Sequence, residues 1–101
     1  MEILQGDANQ NPEEFYESLR EKLNNNYDFP DDYPFKFIVP SDDVKLTEIY
    51  RAFDGIKFTL SNRESRNGKY TACNISAFVL DADQVIKIYK EVGKVENVIL
   101  L

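Results

Sequence analysis

Apolar residues recur at helical spacing in three stretches of the chain, and at alternating or consecutive positions in four others. Phe15, Leu19 and Leu23 stand four apart with Tyr16 beside them, a narrow stripe that predicts an amphipathic helix. Leu46, Ile49, Tyr50 and Phe53 follow the spacing i, i+3, i+4, i+7, and Ala82, Val85, Ile88, Tyr89 and Val92 make a broader face of the same kind. Between these lie strand-like runs. Phe35–Val39 reads FKFIV, and Ile56, Phe58 and Leu60 alternate with Lys57, Thr59 and Ser61. Cys73, Ile75, Ala77 and Val79 form one face of a further strand, with Tyr70, Ala72, Asn74, Ser76 and Phe78 on the other. The chain closes on Val95–Leu101, which is mostly apolar.

Punctuation residues set the boundaries. Asn11 and Pro12 suit the cap and first position of the first helix, with Glu13 and Glu14 at the positive end of its dipole. That helix should run to about Leu23 and fray at Asn24–Asn26. Pro30 and Pro34 make Tyr27–Pro34 an extended connector, because a residue before proline avoids helical angles. Ser41 is placed to cap the second helix, with Asp42 and Asp43 in its first turn and Asp54-Gly55 at its end. Asn67-Gly68 predicts a tight hairpin with positive φ at one or both residues. Asp81 caps the third helix, and Gly93 ends it.

The order from residue 34 onward is therefore β-α-β-β-α-β, the split βαβ or ferredoxin-like arrangement. The predicted class is α+β: a four-stranded antiparallel sheet with two helices on one face and an additional N-terminal helix. In domain terms, residues 1–10 read as a disordered N-terminus, 11–26 as an acidic helix and 27–101 as the ferredoxin-like domain. Strict alternation places Lys36, Ile38, Thr59, Ala72, Asn74, Ser76, Phe78, Asn97 and Ile99 on the open face, with Phe58, Ile75 and Val98 toward the helices.

Composition changes this picture in a few respects. With 101 residues, 43% of them hydrophobic, the chain suits one domain with a real core. The N-terminus is acidic and polar, unlike a secretory signal, and no apolar run approaches the ~20 residues of a membrane span. A cytoplasmic protein is expected, with no membrane partner. One cysteine and no histidine leave neither an internal disulfide nor an ordinary zinc site, so no cofactor is expected. Residues 1–33 hold nine carboxylates against Arg20 and Lys22, a net of −7, so the whole-chain −6 leaves +1 for residues 34–101. Such a balance argues against nucleic acid. It also makes the N-terminal third an acidic arm, either simply solvated or docked on a basic patch.

Three segments carry a family likeness. The run FPDDYPFKFIV (Phe29–Val39), the hairpin ESRNGKY (Glu64–Tyr70, with Ser65, Gly68 and Tyr70) and the apolar terminal strand resemble the YbeD-like family, small bacterial proteins of unknown function. The likeness covers roughly residues 27–101. It implies a ferredoxin-like fold and a non-catalytic character, similar in fold to ACT domains that sense small molecules, usually at dimer interfaces. Amino-acid-binding ACT domains place glycine at the first strand-to-helix turn, where this chain has Val39-Pro40-Ser41.

Candidate chemistry is sparse. Cys73 alternates with Ile75 and Ala77 and reads as a core residue rather than a nucleophile. Asp42-Asp43 and Asp81-Asp83 stand at helix starts, where capping explains them, and Asp31-Asp32 lies in the connector. No calcium-loop spacing or glycine-rich phosphate loop occurs. No enzymatic activity is expected. The return strand lacks the aromatic pair with which RNA-recognition sheets stack bases.

Two functional readings remain. In one, the domain binds a protein partner or a second copy of itself through the open face or a sheet edge, with Lys36, Ile38, Asn74, Ser76, Phe78 and Ile99 as the candidate surface. In the other, it is an ACT-like regulatory sensor of a small molecule. Phe15, Leu19 and Leu23 need a surface to lie on, and the connector is long enough to turn their helix back over the open face or across to a second subunit. There Glu17 and Glu21 would meet Lys36 or the hairpin cations Lys57, Arg63, Arg66 and Lys69.

Overall fold

Alternate burial along one ten-residue strand shows how the protein is layered. From Tyr70 to Val79 the odd positions Thr71, Cys73, Ile75, Ala77 and Val79 are buried, while Tyr70, Asn74, Ser76 and Phe78 are exposed. The computed structural model describes residues 12–101, so the expected disordered segment 1–10 and the Asn11 cap lie outside the described residues. In chain order the elements are α1 (Pro12–Asn26), β1 (Asp31–Pro40), α2 (Asp43–Arg51), β2 (Phe58–Glu64), β3 (Tyr70–Val79), α3 (Ala82–Val92) and β4 (Ile99–Leu100). The architecture is α+β, with three helices and a four-stranded sheet in the order β2-β3-β1-β4. Every neighbouring pair is antiparallel. Each crossover helix thus joins two strands that hold a third between them: β3 lies between β1 and β2, and β1 between β3 and β4.

The core is aromatic. Tyr33, Phe35 and Phe37 on β1 lie under Phe53 and Tyr89, and Phe35 meets both of these rings with centroids 5.2 Å away. Ile49 from α2 and Val85, Ile86, Ile88 and Val92 from α3 complete the layer. Phe58 and Val98 pack against it, and Ile75 is buried within it.

Strand β1 begins at Asp31, four residues before the expected Phe35, even though Pro34 lies in it. The register explains this tolerance. Leu101 N–H donates to Lys36 O across the β4 side (3.1 Å), so the even positions of β1 turn their backbone polar groups toward β4 and the odd ones toward β3. Pro34 and Pro40 are even, and β4 pairs only with Phe37 and Ile38. Neither proline withholds a donor that the sheet needs.

Helix α1 differs from expectation in length and position. It continues through Asn26 instead of fraying after Leu23, because Tyr27 N–H bonds Leu23 O (2.9 Å) and Asn26 Nδ2 bonds Lys22 O (2.7 Å). It packs on α3, in the helical layer, and not over the open face of the sheet. Leu19 and Leu23 join the main core, and Phe15 and Tyr16 pack against it. Arg20 bonds Asp83 Oδ1 at 2.6 Å, and Lys90 Nζ stands 4.5 Å from the centre of the Tyr16 ring. Glu17 lies 3.8 Å from Arg20 in its own helix and does not reach Lys36. Tyr27 packs on Tyr33 (5.1 Å) and Phe29 (5.8 Å), and Tyr33 meets Tyr89 of α3 edge-on, so the segment that follows α1 is held beside α3.

Three local expectations are also corrected, while the expectation that Gly93 ends α3 holds. Asp42, not Ser41, caps α2, its side chain accepting from Val44 N–H (2.8 Å), while the Ser41 hydroxyl pairs with that of buried Thr71 (2.8 Å). Gly93 ends α3 in the right-handed region (φ −61°), and an added Cβ would stand 3.1 Å from Tyr89 O. The expected terminal strand from Val95 shrinks to Ile99–Leu100, because Asn97 turns the chain with φ 63° and so leaves the open face. Strand β2 starts at Phe58 rather than Ile56, and Leu60, on the helix side opposite Ile75, is 45% exposed. The layer of helices stops short of this edge.

The hairpin tip holds four residues and not two. Ser65 N–H bonds Tyr70 O (2.7 Å) and Gly68 N–H bonds Ser65 O (2.9 Å), so Arg66-Asn67 form the centre of the turn and Gly68 follows with φ 72°. Polar side chains fill this longer loop: the Ser65 hydroxyl donates to Asn67 Oδ1 (2.9 Å), which also accepts Lys69 N–H (3.0 Å). A Cβ at Gly68 would meet nothing within 4 Å, so substitution there costs backbone strain alone. Gly68→Val should lower stability by about 1–2 kcal/mol, and Gly68→Asn by less. Equal urea midpoints for the two variants would contradict a left-handed residue at this position.

Candidate functional site

The even residues of β1 and β3 and the odd residues of β2 make up the sheet face turned away from the helices, and the register arranges them in rows. Ile99, Ile38, Ala72 and Arg63 form one row, and Lys36, Asn74 and Ser61 the next. Pro34, Ser76 and Thr59 follow, and then Asp32 with Phe78. Pro40 and Tyr70 lie beyond Ile38 at the other end. The expected surface residues Lys36, Ile38, Asn74, Ser76, Phe78 and Ile99 therefore share one face. Ile38, Ala72 and Ile99 are half-buried by one another, while Tyr70 (47%) and Phe78 (43%) stand exposed at opposite ends of β3.

A shallow groove of about 420 Å³ crosses the middle of this face, lined by Pro34, Lys36, Thr59, Leu60, Ser61, Asn74 and Ser76 among others. Lys36 has no ion-pair partner among the described residues. The groove offers hydroxyls, one amide and one cation over an apolar floor. Such a set can hold an acidic or hydrogen-bonding group of a partner. Among the described residues, no group of three or more His, Cys, Asp or Glu side chains could hold a metal ion.

The stripe Phe15, Leu19 and Leu23 is brought to the opposite side of the molecule and serves the core. Ser65, Gly68 and Tyr70 are tied together by the turn itself, with Tyr70 N–H also donating to Ser65 Oγ (3.1 Å). Their spacing is thus explained by loop geometry.

Buried titratable groups lie on the helix side. Cys73 sits beneath the helices, and burial pushes its thiol up. Sequence reading missed the pairing of Tyr33 with Tyr89, whose hydroxyls meet at 3.1 Å inside the core. Burial pushes both phenols up, Tyr89 much further than Tyr33, and for Tyr89 the neighbouring Tyr33 adds to the effect. Their folded values lie above the unfolded ones, so the stability they contribute is complete below about pH 9–10. It is lost as pH rises through the folded range. Urea midpoints should accordingly fall above about pH 10, and Tyr89→Phe should flatten that fall. A Tyr89→Phe slope as steep as the wild type would contradict this assignment.

A family described as protein of unknown function (DUF493) matches residues 24–101. The chain belongs to that family. The YbeD-like likeness is consistent with this membership. The DUF493 match takes in the whole sheet, α2, α3 and the hairpin, but only the last three residues of α1. No curated protein and no solved structure matches the chain. None of the helices among the described residues is long and apolar enough to cross a membrane.

Proposed function

We propose that this DUF493 chain is a non-catalytic interaction module that docks a protein through the open face or an edge of its sheet. The observation that carries the reading is a sheet face that no other element among the described residues covers, with apolar residues at both ends and a polar, cationic groove between them. Exposed apolar side chains rimmed by polar groups on a small domain suit an interaction site. The groups with chemical potential on the helix side, Cys73 and the two tyrosines, are occupied with packing. We place the domain in the ferredoxin-like class, since the interleaved order β2-β3-β1-β4 supports a split βαβ pair. A regulatory task in the cytoplasm fits the same reading.

Lys36→Glu combined with Phe78→Glu tests it. Both side chains are exposed, so stability should stay within about 0.5 kcal/mol of wild type for each change. Proteins captured by the wild-type chain from its native extract should be lost by this variant. Equal capture by both chains would refute the open face as the docking site. The groove favours one second reading, an ACT-like sensor of a small anion held by Lys36. It predicts a thermal upshift with one member of a metabolite panel, abolished by Lys36→Glu.

A further inference from the structure

Among the described residues strand β2 is an edge of the sheet, and its register shows which backbone groups lack a partner strand there. Lys57 O accepts from Phe78 N–H and Ser65 N–H donates to Tyr70 O, so the odd positions face β3. Phe58, Leu60, Asn62 and Glu64 therefore turn their N–H and C=O groups outward. Edges of this kind are commonly defended by charge, proline or a bulge. Here Phe58–Asn62 contains neither a charged residue nor a proline, and Leu60 exposes an apolar step on the helix side beside half-buried Phe58 and Tyr50.

The charges stand at the ends of the strand and are mostly positive. Residues 57–69 carry Lys57, Arg63, Arg66 and Lys69 against Glu64, a net of +3 in a chain of −6. None of the four cations has an ion-pair partner among the described residues. This argues against self-pairing of β2. In the twofold antiparallel register that would bury Leu60 against its copy, Arg63 falls opposite Lys57 of the other strand.

We propose that the outer edge of β2 accepts an extended, acidic segment of a partner protein as an added strand. One side chain of that strand would cover Leu60, and carboxylates would flank Lys57 and Arg63. The proposal rests on the docking reading above and names the edge and the chemistry of the partner. Backbone pairing supplies the affinity, and alternate side chains supply the selectivity.

The test uses the full, isotope-labelled chain and an acetylated peptide of about ten residues in which glutamate and valine alternate. At 90% saturation, amide exchange at Phe58, Leu60, Asn62 and Glu64 should slow about tenfold, while Thr59, Ser61 and Arg63, already bonded to β3, should not change. Lys57→Glu with Arg63→Glu should weaken this peptide about tenfold at low salt, and favour a peptide with lysine in place of glutamate. Leu60→Pro removes an outward N–H that β3 does not use and should abolish binding. No protection at the four amides, or equal protection by the lysine peptide, would overturn the proposal. Protection that rises with protein concentration alone would assign the edge to a second copy, and also overturns it. Shifts confined to Ile38, Asn74 and Ser76 would overturn the edge proposal yet leave docking on the open face standing.

Discussion

Replacing Leu23 with alanine should cost about 2–5 kcal/mol, although the residue precedes the segment matched by the family. Leu23 is 4% exposed and belongs to the same core cluster as Phe35 and Tyr89. Each kcal/mol lowers the melting temperature of a domain this size by roughly 4–8 °C, so the change is large on a thermal scan. Leu19→Ala should behave alike, and the two losses should not add fully, because both side chains lie on one stripe against one core. Deleting residues 1–26 removes both together with the Arg20–Asp83 bond, and bares the α3 surface that α1 covers. The truncated chain should melt lower and associate through that helical surface. A Leu23→Ala chain as stable as wild type would show that α1 does not belong to the core.

Phe35→Ala should be at least as damaging, at about 3–5 kcal/mol. Its ring is 1% exposed and lies within 6 Å, centre to centre, of Tyr33, Phe37, Phe53 and Tyr89. Removing it leaves a void bounded by four aromatic side chains, which cannot collapse without moving β1, α3 and the turn after α2 together. Phe35→Leu refills much of that space and should recover more than half of the loss. A loss below about 1 kcal/mol for the alanine variant would contradict the position given to Phe35 at the centre of the core.

How far the residues alone reveal this structure depends on whether a local or a distant partner decides each feature. Ile75, Ala77 and Val79 alternate with polar neighbours, and burial follows that alternation along β3. Asp81 caps α3 as its local sequence suggests, accepting Gln84 N–H (2.8 Å), while Gln84 Oε1 returns a bond from Leu80 N–H (2.7 Å). Features set by tertiary partners read poorly. Asp31–Pro34 looks like a connector until β3 is found to run long enough to pair with it. The Phe15-Leu19-Leu23 stripe gives no sign of choosing α3 over the sheet, because both surfaces carry apolar side chains that could receive it. Ser41 yielded the α2 cap to Asp42 since its hydroxyl is held by Thr71, 30 residues away.

The candidate surface was legible for a simple reason: alternation alone decides which side chains of a sheet share a face. Lys36, Ile38, Asn74, Ser76, Phe78 and Ile99 meet there because the register keeps their parity. Asn97 left that face because its positive φ turns the chain before β4 begins. The exposed Leu60 escaped notice, since its alternation with Thr59 and Ser61 marks it as inward without showing where the helices end.

Site-specific photo-crosslinking in the native host distinguishes docking on the sheet from docking on the helical layer. A photoreactive phenylalanine analogue at position 78 would report on the open face, and the same group at position 44 on the helical layer, where Val44 is 66% exposed. Docking on the sheet predicts a discrete cross-linked protein from position 78 and none from position 44. The same product from both positions, or a product from position 44 alone, would contradict it.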